Sequence, residues 1–168
     1  MRRFRRLVLS GVLGLAVVGT TPSVAWAQKA VVVVRHAERV DESEDSPLSP
    51  AGLQRAQTLA RMLGRIGITR IFVTQFQRTQ QTAAPLAAAL KLTPVVMSAN
   101  TPQPVVERIR RENPNDVVLI VGHSNTVPAI LKQFGHPELV EIPTDEFDSL
   151  FVLVPKAQGP PTVLRLRY

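Results

Sequence analysis

The chain has 168 residues, with 20 Lys and Arg against 13 Asp and Glu, three His, no Cys and a formal net charge of +7. That length allows one ordinary domain plus a tail, and a hydrophobic content of 45% excludes wholesale disorder. The absence of Cys excludes disulfides, Cys-ligated zinc, iron–sulfur clusters and thiol catalysis.

The first 27 residues read as an export signal. Arg2, Arg3, Arg5 and Arg6 precede an uncharged apolar run from Leu7 to Gly19, too short for an ordinary bilayer crossing. Thr20, Thr21 and Pro22 break it, and the small-x-small triplet Ala25-Trp26-Ala27 follows. Cleavage after Ala27 is therefore expected, leaving residues 28–168 as the domain and no membrane span. A retained N-terminal anchor is the alternative. No Cys follows the apolar run, which excludes a bacterial lipoprotein. The signal carries four Arg and no acid, so the mature chain has 16 basic and 13 acidic residues and a net charge of +3. Of the remaining basic residues only Arg108, Arg110 and Arg111 cluster, spaced as the solvated face of a helix rather than a nucleic-acid footprint. A periplasmic or secreted location is the expectation, and a Cys-free chain suits it.

Beyond the signal, strands and helices alternate. Ala30–Val34 is a continuous β-branched run, the mark of a strand buried on both faces. Residues 40–47 are acidic and contain Pro, hence a loop. Ser49-Pro50 opens a helix, with Ser49 as N-cap, and Leu53, Ala56, Ala60 and Leu63 recur at helical spacing until Gly64 or Gly67. Arg70–Thr74 reads as a second buried strand. Arg78–Leu90 is Ala-rich and helical, with Pro85 expected to kink it or lie near a start. Pro94–Met97 is a short strand and Pro102–Glu112 a helix. Val117–Val121 is a fourth buried strand, and Thr126–Phe134 a helix with Pro128 in its first turn. Leu150–Val154 and Thr162–Arg167 read as a closing antiparallel pair around Gly159-Pro160-Pro161. The pattern predicts a three-layer α/β/α sandwich with a mostly parallel central sheet.

The polar residues that bear chemistry fall at strand ends, where open α/β sheets hold their ligands. The first strand delivers Arg35 and His36, the segment after the second delivers Arg78, and the fourth delivers His123. Two guanidiniums and two imidazoles on one rim make an anion site. Arg forks match phosphate oxygens, one imidazole can attack phosphorus, and the other can stabilise the charge of the transferring group.

Three segments in this order carry a resemblance: Val34-Arg35-His36-Ala37-Glu38, then Gln77-Arg78-Thr79-x-x-Thr82-Ala83, then Val121-Gly122-His123-Ser124-Asn125. Together they resemble the histidine phosphatase superfamily, which includes cofactor-dependent phosphoglycerate mutases, acid phosphatases and small phosphohistidine phosphatases. The resemblance runs from about residue 31 to residue 134. It implies a phosphoglycerate mutase-like fold and a phosphomonoester hydrolase with His36 as nucleophile. Arg35, Arg78 and His123 would bind the phosphoryl group, and no metal or other cofactor would be needed. The substrate would be a phosphorylated small molecule or envelope component.

The chain departs from the family in two places. Ala37 stands where the family usually has Gly. The chain is also too short for the insertion that carries the general acid in larger members. Glu38 is then the favoured acid, since it would share the face of His36 if the strand continued. Asp41, Glu42, Glu44 and Glu107 are further candidates. A leaving group as labile as phosphohistidine or an acyl phosphate would need no strong acid. Two other classes remain open: a non-catalytic phosphate-binding envelope protein, and a metal-dependent hydrolase holding zinc through His36, Glu38 and His123. Ser124 and Asn125 read as helix caps, His136 as a turn residue, and Asp41–Asp45 as a solvated loop. The sequence leaves the oligomeric state open.

Overall fold

The structure, a computed structural model, describes residues 29–112 and 115–168. The export signal expected over residues 1–27 lies outside them. The elements in chain order are β1 (Ala30–Arg35), α1 (Pro50–Leu63), β2 (Arg70–Thr74), α2 (Gln77–Leu90), β3 (Val95–Met97), α3 (Pro102–Glu112), β4 (Val117–Gly122), α4 (Thr126–Gln133), β5 (Ser149–Val154) and β6 (Thr162–Arg167).

The six strands form one sheet in the order β3-β2-β4-β1-β5-β6. β1 to β4 run parallel, and β5 and β6 are antiparallel to their neighbours. The expected three layers are present, with a mixed sheet between two pairs of helices. Period-two alternation divides each central strand between two cores. Val32, Val34, Leu119 and Val121 share one core with Leu59 of α1 and Leu86 of α2. Val31, Val33, Val118 and Ile120 share the other with Ile109 of α3 and Leu131 of α4. All four valines of β1 are fully buried. Each stabilises the fold by about 1.5–3 kcal/mol relative to exposure, so β1 is a rigid support for the polar residues at its carboxyl end.

Ser49 caps α1 as expected, its hydroxyl accepting from Gly52 N at 3.1 Å. The buried face of α1 differs from expectation: Leu53 is exposed, and Gly52, Ala56, Leu59 and Leu63 face inward. The cause is the close approach of the first turn to the chain after β1. A Cβ on Gly52 would lie 2.1 Å from the Glu38 carbonyl oxygen. α2 continues through Pro85, held by the buried residues Thr82, Ala83, Leu86 and Ala87. At α4, neither Ser124 nor Asn125 caps the helix by a side-chain hydrogen bond. Asn125 occupies the N-cap position without one, and Thr126 Oγ1 accepts from His123 N at 2.9 Å instead.

Candidate active site

A cleft of about 240 Å³ opens beyond the carboxyl ends of β1, β2 and β4, with Arg35, His36, Arg39, Arg78 and His123 in its walls. Sheet register explains why distant segments meet there. β1 and β4 pair in parallel with Arg35 level with Gly122, so both strands end together and the next residue of each is a histidine. His36 N donates to Gly122 O at 2.9 Å and ties the two ends. The imidazoles stand edge to face, with centroids 5.2 Å apart. Gly122 has no room for a side chain, because a Cβ would lie 2.8 Å from Thr126 Oγ1.

His36 is buried, and its Nδ1 lies 2.8 Å from the carbonyl oxygen of Ala37. A carbonyl only accepts, so Nδ1 carries the proton and Nε2 keeps a lone pair for chemistry. Burial pushes the His36 pKa down to about 3, with the charges of His123, Arg78 and Arg35 adding to the effect. Burial likewise pushes His123 down to about 4, helped by Arg78, Arg35 and Arg39. Both rings are therefore neutral near pH 7.

The two arginines expected to clamp an anion are buried and held from behind. Arg35 Nη1 donates to the carbonyls of Pro143 and Glu146, each at 2.8 Å, and its guanidinium lies 4.0 Å from the centre of the Phe147 ring. Arg78 Nη1 donates to Glu44 O at 2.7 Å, and its guanidinium lies 4.3 Å from the centre of Phe76. The Nε of each is buried without a hydrogen-bond partner. A buried, unpaired guanidinium N–H is costly. Burial lowers the pKa of both groups, and an incoming anion would act in the opposite direction.

The threonines of the second segment are structural struts. Thr82 Oγ1 accepts from Ala37 N at 2.9 Å and donates to Arg78 O at 2.7 Å, joining the His36 loop to α2. Thr79 accepts from Thr74 N at 3.0 Å and donates to Phe76 O at 2.9 Å. Ala37, the departure from Gly, is fully buried in a small cluster with Ala56 and Leu48, so its methyl group is accommodated.

The structure brings Arg35, His36, Arg78 and His123 together but places Glu38 elsewhere. β1 ends at Arg35, so the alternation that would align Glu38 with His36 is lost. The Glu38 carboxylate instead binds Arg55 of α1 at 2.7 and 2.9 Å, outside the cleft. The pair lowers its pKa, although its partial burial acts the other way, so the group is a carboxylate rather than a proton-bearing acid. Asp41 binds Ser43, Glu42 binds Arg39, and Glu107 accepts from Gln103 on the exposed face of α3. Glu44 contributes its backbone carbonyl to Arg78. Among the described residues no carboxylate lines the cleft. Nor do three His, Asp or Glu side chains among them converge as metal ligands, so the zinc set of His36, Glu38 and His123 is not assembled. His136 lies past α4, away from the cleft.

Two further residues belong to the site without having stood out in the sequence. Arg39 lines the cleft. Thr74 Oγ1 lies 3.1 Å from His123 Nε2 and 2.9 Å from Thr79 Oγ1, a buried bridge between β2 and β4. The only hint of Thr74 was a hydroxyl as the last residue of an otherwise apolar strand.

The fold matches that of solved histidine phosphatases. It superimposes on a tungstate complex of the protein histidine phosphatase SixA with a TM-score of 0.67 and 20% identity, covering 82% of this chain and 96% of that one. A phosphate complex of mycobacterial glucosyl-3-phosphoglycerate phosphatase gives a TM-score of 0.67 at 14% identity, covering 83% and 96%. Residues 31–100 match the model of the histidine phosphatase superfamily (branch 1). "Probable phosphoglycerate mutase GpmB" of Yersinia pestis is 39% identical over 72 residues, which cover 39% of this chain and 34% of that protein. The chain thus matches about a third of the length of this curated relative. In sequence over residues 31–100, and in fold over most of its length, the chain is thus similar to the histidine phosphatase superfamily.

Proposed function

We propose that the protein is a phosphatase that works through a phosphohistidine on His36, without a metal. The observation that carries this reading is the pair of imidazoles, 5.2 Å apart, in one cleft with two buried arginines. His36 Nε2 attacks phosphorus, the bond from phosphorus to the leaving atom breaks, and that atom keeps the electron pair. Arg35 and Arg78 hold the phosphoryl oxygens, and His123 stabilises the transferring group. Water then attacks the phosphohistidine, the bond from phosphorus to Nε2 breaks with its electron pair returning to nitrogen, and the proton of the water passes to the departed leaving group or bulk water, which releases phosphate and restores His36.

Because no carboxylate among the described residues lines the cleft, the reading favours leaving groups that depart without a strong acid, such as phosphohistidine, acyl phosphates or aryl phosphates. The N-terminal pattern supports an exported protein acting in the periplasm or outside the cell, with residues 28–168 as its mature form. Among the described residues no helix is long and apolar enough to cross a membrane. The same missing carboxylate favours one other reading, a phosphate-binding protein without turnover.

The test is the mature protein mixed with radiolabelled 4-nitrophenyl phosphate and quenched in base. A base-stable, acid-labile label, absent from His36→Ala together with turnover, is expected. Turnover at the wild-type rate in His36→Ala overturns the mechanism, and phosphate binding without turnover favours the binding protein.

A further inference from the structure

The cleft holds one cation more than a phosphoryl group requires. Arg35, Arg39 and Arg78 all line it, and among the described residues no carboxylate does. A phosphomonoester carries at most about two negative charges near neutral pH, which Arg35 and Arg78 can meet.

Arg39 is built differently from those two. Its backbone is clamped, with a bridge to Leu48 and Val40 N donating to Pro47 O at 3.0 Å. Its guanidinium is bound by the carboxylate of Glu42, whose side chain is 89% exposed. An ion pair with so exposed a partner contributes little, so it can be exchanged at low cost. The loop has its own supports: Asp41 Oδ1 accepts from Ser43 N at 2.9 Å, and Asp41 N donates to Ser46 Oγ at 3.1 Å. Arg39 nevertheless acts on the cleft electrostatically, since its charge disfavours protonation of Arg35, Arg78 and His123. It is thus a rooted cation facing the cleft, with a solvent-facing carboxylate as temporary partner.

We propose that Arg39 determines specificity by exchanging Glu42 for a second anionic group of the substrate, a carboxylate or a further phosphate beside the one transferred. The assignment rests on the phosphatase reading above. It narrows the substrate class to phosphorylated compounds bearing another negative group within reach of Arg39.

Calorimetric titration of the mature protein with methylphosphonate and phosphonoacetate tests this, since the second ligand differs by one carboxylate. Wild type is expected to favour phosphonoacetate by about tenfold or more, the value of one charge-assisted hydrogen bond. Arg39→Gln is expected to bring that ratio close to one, and Glu42→Gln to raise it. Arg39→Lys keeps the charge and should retain part of the preference, which separates charge loss from misfolding. Arg61→Gln removes an equal charge from the exposed face of α1 and should keep the wild-type ratio. A ratio unchanged in Arg39→Gln, or absent in wild type, overturns the assignment. Hydrolysis of 4-nitrophenyl phosphate by the same samples separates the two failures. His36-dependent turnover without the preference overturns Arg39 alone, whereas loss of both turnover and methylphosphonate binding overturns the phosphatase reading and Arg39 with it.

Discussion

Thr74 shows how one hydroxyl ties the His123 ring to its scaffold. It is 1% exposed and bridges His123 Nε2 to the Thr79 hydroxyl. If His123 stabilises the transferring group as proposed, its ring needs a fixed orientation, and the Thr74 hydroxyl, 3.1 Å from Nε2, helps to supply it. Thr74→Val keeps the shape and removes the bond. It should lower kcat by roughly tenfold, about the worth of one hydrogen bond, and leave KM within about twofold. Thr74→Ser should restore kcat; steady-state kinetics on 4-nitrophenyl phosphate check both, and an unchanged kcat in Thr74→Val would remove Thr74 from the mechanism. Arg35, His36, Arg78 and His123 were legible because their residue types fall in recognisable segments at strand ends. Thr74 and Arg39 were not, since a lone hydroxyl and a loop arginine gain meaning only from the groups that stand opposite them. Glu38 misled for a local reason. Its parity with His36 holds only in an extended strand, and β1 stops one residue before His36.

At the scale of elements, α1 is the brace behind the segment that follows His36. Its first turn lies on the Glu38 backbone, where Ser49 N donates to Glu38 O at 2.9 Å, and Arg55 holds the Glu38 side chain. Gly52 permits that contact, since a Cβ there would meet backbone rather than a movable side chain. Gly52→Ala should cost about 1–3 kcal/mol by overpacking and should also reduce activity, because the strained segment begins two residues after His36. Thermal melts and turnover on the same samples check this, and a Tm equal to wild type with full activity would show that the turn can yield. Strand and helix positions could be read from pattern alone, since β-branched runs and the Ser49-Pro50 start are local signals. The phase of α1 could not. Leu53 would complete a helical stripe, yet the contact at Gly52 turns it to solvent.

For the whole molecule, two neutral buried imidazoles couple the cleft to stability. The pKa values of His36 and His123 fall from 6.5 to about 3 and about 4 in the fold. As pH drops below 6.5 the unfolded chain takes up these protons first, so stability is full above 6.5 and declines as pH falls towards the folded values. Melting temperature should therefore fall between pH 6.5 and pH 4, and the double variant His36→Asn, His123→Asn should show a shallower fall. Equal slopes in the two proteins would show that other groups set the acid response. The same burial that keeps the His36 ring neutral thus weakens the fold in acid.

The order of strands differs from the order in which the chain supplies them. β4 lies between β1 and β2, so the first two motif segments flank a gap until residues 117–122 arrive. A chain emerging from its amino end therefore carries His36 and Arg78 long before it has the ribbon that separates and aligns them.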